Sequence, residues 1–487
     1  MSKEYWTALT LAGLGANERN AIVGGPFGSN LVSSDYTEVG VPVIRGQNMG
    51  EGRWLSREFA FVSEEKADLL RANLARPGDI VFTQRGTIGQ VAIVPDAPWD
   101  RYVISQSQMK ATIDRAVADP LFIYYYFCNP AAKKYIAANA IQTGVPHTNL
   151  GQLRAHPMRI PSLAEQHAIA SVLGSLDDRI EQNRRTAEAL ERLARAIFRA
   201  WFVDFEPVKA KAAGATAFPS MPQPVFDALP TRFVDSDIRP VPEGWEVKAL
   251  SSICTLVGGG TPKRSEAAYW DGDVPWYSVK DAPGDGELWV ITTSERITAD
   301  GLADSAARVV PKGCTIISAR GTVGKLAMAG APMAFNQSCY GLLPGDEKSF
   351  GYLHLLMQSV VAELQQRTHG SVFDTITRAT FDGLHVISPP ADVVSTFESV
   401  VDPLLALLLA SVDESLKLAE MRDYLLPKLL NGDVQVEALC ALTDDALNHR
   451  APRPVSAWEG PGLDCGWPGR ARGTIPGSFP DTTWPRL

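Results

Sequence analysis

Cysteine is scarce and scattered in this 487-residue chain: Cys128, Cys254, Cys314, Cys339, Cys440 and Cys465 form no Cys-x-x-Cys pair and have no histidine at zinc-finger spacing. That excludes a disulfide scaffold and a zinc module, and it reads as reduced, cytosolic thiols. Long apolar runs are missing too. The longest, Pro403 to Ala410, falls well short of the roughly 20 residues of a bilayer-spanning helix. The start, Met1-Ser2-Lys3-Glu4-Tyr5-Trp6, lacks the charged-then-apolar order of a signal peptide. The expectation is a cytoplasmic protein without a membrane segment. Positive charge is in deficit: 46 Lys+Arg stand against 55 Asp+Glu, a formal −9, which excludes a polycationic coat on DNA but not local basic faces. With 45% hydrophobic and 21% charged residues, most of the chain is not disordered.

Catalytic signatures are equally hard to find. Neither Gly258-Gly-Gly-Thr-Pro-Lys263 nor Gly321-Thr-Val-Gly-Lys325 completes the loop that wraps phosphate with backbone amides and a lysine. Glu246-Val-Lys248 is a fragment of what a metal nuclease would need. An Asn-Pro-Pro-aromatic loop of an amino-methyltransferase is missing, and so is a Gly-x-Gly-x-x-Gly turn. His147 and His369 have no second ligand or nucleophile at a recognisable spacing, so they read as polar loop contacts. No metal or cofactor is expected.

What the chain does contain is an internal repeat. Gly78-Asp-Ile-Val-Phe-Thr-Gln-Arg85-Gly-Thr87-Ile-Gly89 returns as Gly313-Cys-Thr-Ile-Ile-Ser-Ala-Arg320-Gly-Thr322-Val-Gly324, an offset of 235. Gln106-Ser107 matches Gln337-Ser338, Thr143-Gly144 matches His369-Gly370, and Ile160-Pro161 matches Ile387-Ser-Pro389. At about 150 residues per domain, the length suits roughly three units, or two with long connections.

Each copy opens as short strands and turns, such as Val41–Arg45, Ile80–Thr83, Val91–Val94, Thr315–Ser318 and Leu326–Met328, interrupted by helical stretches over 120–138 and 352–366. Each then changes period. Ser162-Leu-Ala-Glu165 is a capping box, and behind it Ile169, Val172, Leu173, Leu176, Ile180, Ala187, Leu190, Ala194 and Ile197 recur at helical spacing. A second stripe after Pro389-Pro390 carries Phe397, Val400, Val401, Leu404, Leu408, Val412, Leu416, Ala419, Leu426 and Leu429. Two apolar stripes in one chain imply an antiparallel coiled-coil pair. The fold class is therefore α+β: two strand-rich units separated by two long helices, with pseudo-symmetry. Expected boundaries are 1–160 and 242–389 for the strand-rich units, 161–206 and 390–436 for the helices, and 207–241 for an extended Pro-rich linker. The tail, 437–487, reads as disordered; residues 451–487 hold 7 Pro and 6 Gly.

Polar, planar side chains sit on the Gly-rich turns: Arg45, Gln47 and Asn48 in one copy, and Trp276, Tyr277, Ser278 and Lys280 in the other. Arg, Asn and Gln can contact base edges bidentately, while Ser, Thr and backbone amides hold phosphates. For any single residue, an ordinary polar turn outweighs a contact. Arg85 and Arg320 serve equally well as hairpin-closing residues or phosphate contacts.

As a set, the motifs resemble the specificity subunit of type I restriction-modification systems over about residues 20–440. The matching runs are Gly25-Pro-Phe-Gly-Ser-Asn30, Gly40-Val-Pro-Val-Ile-Arg45, both Arg-Gly-Thr-x-Gly turns, Ile160-Pro-Ser-Leu-Ala-Glu-Gln166, Phe202-Val-Asp-Phe205, Pro242-Glu-Gly-Trp245 and Leu425-Leu-Pro-Lys-Leu-Leu430. The resemblance implies two target-recognition domains, each reading half of a split site in double-stranded DNA. It implies paired helices that dock two methyltransferase (modification) subunits and, through them, restriction/translocase subunits. Catalysis would belong to those partners. Candidate DNA contacts are Arg45, Gln47, Asn48, Arg85, Thr87, His147, Lys263, Tyr277, Lys280, Arg320, Thr322 and His369. The first unit lacks the Gly-Trp-x-x-x-x-Leu opening seen at Gly244-Trp245 to Leu250, so its first strand is expected to diverge. The rival readings are a stand-alone DNA-binding regulator and an enzyme with its own site.

Overall fold

The computed structural model describes residues 6–436, except 51, 56–57, 143–145, 285–286, 347 and 369–374. The tail 437–487 and His369 lie outside the described residues.

In the first unit, four antiparallel strands lie in the order Ile22–Gly24, Gln108–Ala111, Ile80–Thr83, Val91–Ile93. Ile80–Thr83 is buried along its whole length, which suits a β-branched run covered on both faces. Gln108–Ala111 is buried as well although it carries a lysine. Lys110 is accommodated because Asp79 lies 3.2 Å from its ammonium and the Thr112 hydroxyl 2.7 Å away, so the charge enters the core already paired. A second sheet places Val41–Ile44 parallel to Tyr102–Ile104.

The second unit repeats this plan. Its main sheet runs Cys254–Gly258, Cys339–Pro344, Thr315–Ser318, Leu326–Ala329, Trp289–Val290. Trp270–Tyr277 lies parallel to Ala334–Phe335, as Val41–Ile44 does to Tyr102–Ile104. Each unit is closed by pairing its first strand with its last, Thr7–Thr10 with Pro157–Ile160 and Glu246–Ala249 with His385–Ser388.

The first strand does not diverge, contrary to expectation. Trp6 and Leu11 occupy the places of Trp245 and Leu250, and all four are buried. The Leu11 amide donates to the His156 carbonyl (3.1 Å), and the Leu250 amide to that of Leu384 (2.8 Å). Only the glycine of the motif is replaced, by Tyr5.

Two long helices follow the units. The first, Leu163–Phe198, is capped by Ser162, whose hydroxyl accepts from the Glu165 amide. The second, Ala391–Leu430, begins behind Pro390 and runs through Pro403 and Pro427. Asp177 meets Arg422, Arg179 meets Glu414, and Phe198 meets Phe397, so the two run in opposite directions. The second helix is long and apolar enough to cross a membrane by length and composition alone; Phe397, Val401, Leu405 and Leu408 on it are buried inside this chain.

The expected linker is folded. Prolines that suggested extension instead start helices: Pro207 in Glu206–Ala212 and Pro224 in Gln223–Ala228, where the missing amide costs nothing. Val208, Met221, Phe226 and Leu229 enter one core with Trp201, Trp245, Leu356 and Phe397. Phe205, at φ +53, takes a left-handed conformation that its packing on Trp245 (5.5 Å between ring centres) and Arg239 (4.6 Å) holds.

Candidate nucleic-acid interface

In each unit, three loops meet one short stretch of backbone. In the first it is Ser105–Ser107: the Ser105 amide donates to the Ile44 carbonyl (2.9 Å) and the Gln84 amide to the Ser107 carbonyl (2.7 Å). This sets the turn after Val41–Ile44 beside the Arg85-Gly-Thr87 hairpin turn. Gln106 ties in the third loop, its amide group donating to the carbonyls of Gly28 (2.9 Å) and Leu31 (2.8 Å). Gly25 lies so close that a Cβ there would stand 1.9 Å from the Ser105 carbonyl oxygen.

The second unit repeats the two backbone bonds and the glycine approach, while its third loop is tied differently, the Thr261 hydroxyl donating to the Gln337 carboxamide oxygen. The Asn336 amide donates to the Tyr277 carbonyl (2.9 Å) and the Ala319 amide to that of Ser338 (2.7 Å). A Cβ on Gly259 would lie 2.1 Å from the Asn336 carbonyl oxygen. Both hairpin turns are braced from a further segment: Arg85 bridges to His147 and Arg320 to Thr375. The Thr148 amide reaches the Gln84 carbonyl at 3.0 Å, and the Ile376 amide that of Ala319 at 2.9 Å.

On this frame Gln47, Arg85 and Thr87 are exposed and Arg45 and His147 half-buried; Lys263, Lys280, Arg320 and Thr322 are exposed in the second unit. Arg45 leans over Tyr36, 5.9 Å from the ring centre. Two candidates are corrected. Asn48 is 0% exposed; its carboxamide oxygen accepts from the Arg45 amide (3.0 Å) and its nitrogen donates to the Glu58 carbonyl (3.1 Å). It closes the turn from inside. Asp281 does the same in the second unit, accepting from the Ser278 amide at 2.8 Å. That equivalence aligns Arg45 with Ser278, Gln47 with Lys280, and Ile44 with Tyr277. Tyr277 is accordingly a core residue, 0% exposed, and its burial pushes the phenol up.

Sequence reasoning missed two exposed side chains here. Phe27 is 85% exposed at the tip of the Gly25–Asn30 loop; an apolar residue off any periodic stripe between two loop glycines was the available signal. Arg264, beside Lys263, pairs with Glu295 and lies 4.0 Å over Trp270 and 5.1 Å over Trp276. Glu295 is thereby held below the usual carboxylate range and Arg264 raised.

Among the described residues no cluster of three or more His, Cys, Asp or Glu could hold a metal ion. Burial pushes Cys254, Cys314 and Cys339 up to about 12, far from the thiolate a nucleophile requires.

The architecture is that of a duplicated protein: two like units with matched loop frames, joined by opposed long helices. Residues 30–192 and 242–396 match the type I restriction modification DNA specificity domain, and the chain belongs to that family. It is 27% identical over 402 residues to the type I restriction enzyme HindI specificity subunit of Haemophilus influenzae, covering 74% of this chain and 87% of that one. It is 24% identical over 427 residues to the MjaIX specificity subunit of Methanocaldococcus jannaschii, covering 86% and 92%. The crystal structure of the type I restriction-modification S subunit from M. genitalium superposes with a TM-score of 0.55 at 17% identity, covering 87% of this chain and 96% of that one. That last likeness is one of fold.

Proposed function

We propose that this chain reads a split DNA site, one half with each strand-rich unit, as the non-catalytic subunit of a cytoplasmic type I restriction-modification complex. The observation that carries this reading is the pair of matched loop frames bearing different side chains at corresponding places: exposed Phe27 where the second unit has half-buried Thr261, and exposed Gln47 where it has exposed Lys280. One hydrogen-bonded scaffold thus presents two different chemical surfaces, as two unlike half-sites require. Gln47, Arg85, Thr87, Arg45 and His147, with Phe27, form the first contact set. Lys263, Lys280, Arg320 and Thr322, with Arg264, form the second. The opposed helices act as a coiled-coil spacer that docks two modification subunits and, through them, the restriction subunits. Methyl transfer and cleavage belong to those partners.

The test is an exchange. Residues 20–155 are replaced by the equivalent domain of a relative, the chain is co-expressed with its modification subunits, and methylated sites are mapped. One half of the site should change and the other stay. A change in both halves, or in neither, rejects independent reading by two units.

A further inference from the structure

Where the first recognition unit meets the helix pair, one buried carboxylate holds three elements together. The Asp177 side chain, on the first long helix, is 8% exposed. Its Oδ2 accepts from the Tyr125 hydroxyl at 2.6 Å, and Tyr125 belongs to helix Pro120–Cys128 of the first unit. Its Oδ1 accepts from Arg422 Nη1 at 2.8 Å, and Arg422 belongs to the second long helix. Arg53, from a loop of the first unit, lies alongside: it pairs with Asp178 and reaches the Gly174 carbonyl at 3.4 Å. Gly174 permits this approach, since a Cβ there would stand 3.1 Å from Leu121 and 3.3 Å from the Arg53 guanidinium.

An apolar contact in this place would also stabilise the junction, and buried ion pairs are often no better than well-packed apolar residues for stability. What charge-assisted hydrogen bonds add is direction. An apolar face tolerates small rotations, whereas a carboxylate with a phenol on one oxygen and a guanidinium on the other does not. Direction matters here because neighbouring registers on DNA are close. Moving one recognition unit by one base pair means a shift of about 3.4 Å and a rotation of about 35°.

We infer that Asp177 is a positioning residue that, through Tyr125 and Arg422, holds the first recognition unit at one angle to the paired helices and thereby restricts the split site to a single spacing. This rests on the two-unit reading above. Asp177 touches no DNA; it acts through the orientation of the unit that does.

The full chain is co-expressed with its modification subunits, and methylation is mapped for wild type, Asp177→Asn, Arg422→Gln and Tyr125→Phe. Tyr125→Phe is the mildest, because it removes only the phenol's hydrogen bonds, to Asp177 and to Arg53, and leaves the helix-to-helix ion pair in place. Methylation at sites one base pair longer or shorter in spacer should rise at least tenfold over wild type, with both half-site sequences unchanged. Arg422→Lys, which keeps a cation on Asp177, should return most methylation to the original spacing. Variants that assemble and methylate only at the wild-type spacing overturn the inference. If Asp177→Asn fails to assemble, Tyr125→Phe decides. A wild-type complex that leaves no split methylated site would instead sink the two-unit reading, before the variants are compared.

Discussion

At Glu398 burial and hydrogen bonding act against each other. Its carboxylate, on the second long helix, accepts from the amides of Gly351 (2.7 Å) and Tyr352 (2.9 Å) at the start of helix Phe350–Thr368. Burial raises its pKa to about 7, the two amides oppose the rise, and Asp402 and Asp346 add to it. A carboxyl with a raised pKa binds its proton more tightly folded than unfolded. Stability is therefore largest below the ordinary value of 4.5 and falls as pH rises through 7, by on the order of 3 kcal/mol. Relative to Glu398→Gln, which is neutral throughout, wild type should lose melting temperature between pH 5 and pH 8. A constant difference between the two melting curves across that range would contradict it. The same scale shows where sequence reading stops. Gln47 and Asn48 are adjacent, polar and equally able to meet a base, yet one faces solvent and the other closes the turn from within. A three-residue turn has no hydrophobic period to tell the two apart; the decision is made by Glu58, ten residues on, whose carbonyl takes the Asn48 amide.

Among elements, those with a strong period were legible. The capping box and apolar stripe gave the first long helix its start at Leu163, and the repeat at offset 235 gave both buried hairpins. The 207–241 segment misled because proline marks a helix start as well as an extended chain, and only the core around Phe226 distinguishes them. The first strand was missed because Trp6-x-x-x-x-Leu11 lacks the glycine that flags its counterpart. The structure also sharpens what a change in the spacer should do. The first long helix touches both units, at Asp177 and at Phe198, while the second packs on the second unit at Phe397 and reaches the first unit's junction through Asp177, at Arg422. Lengthening the first helix alone at 186–190 would shear Asp177 from Arg422. Matched insertions are needed, after Thr186 and after Ala410, which lie at similar height by the Asn183–Glu414 and Phe198–Phe397 contacts. Four residues in each helix add about 6 Å and nearly one full turn, keeping the apolar stripe in register. Methylated sites should then carry one or two more non-specific base pairs. Two residues in each should rotate the stripe by about 200° and abolish assembly. An active four-residue variant with an unchanged spacer would reject the idea that the length of the paired helices sets the spacing of the split site.

For the molecule as a whole, charge decides how firmly it can hold DNA unaided. Residues 1–160 contain 16 Lys+Arg and 14 Asp+Glu, and residues 240–390 contain 12 and 16, so the units carry +2 and −4. Several of these cations are already engaged: Arg101 with Glu64 and Asp68, Arg264 with Glu295, Lys110 with Asp79. Affinity for a duplex comes largely from phosphate neutralisation, with log K falling by about 0.9 per log unit of salt for each phosphate contacted. Few free cations therefore mean a shallow salt slope and weak binding by the isolated chain. The modification subunits would supply the missing charge, while the loops of this chain supply the choice of sequence. Duplex binding should be measured for the isolated chain and for the assembled complex between about 50 and 200 mM salt, a range over which about six phosphate contacts weaken binding by roughly a thousandfold. The complex should bind its site at least a hundredfold more tightly at the upper salt, and with the steeper slope. Equal affinity for the isolated chain would point instead to a regulator that acts alone, because a surface this poor in free positive charge would then be holding the duplex through base contacts without help.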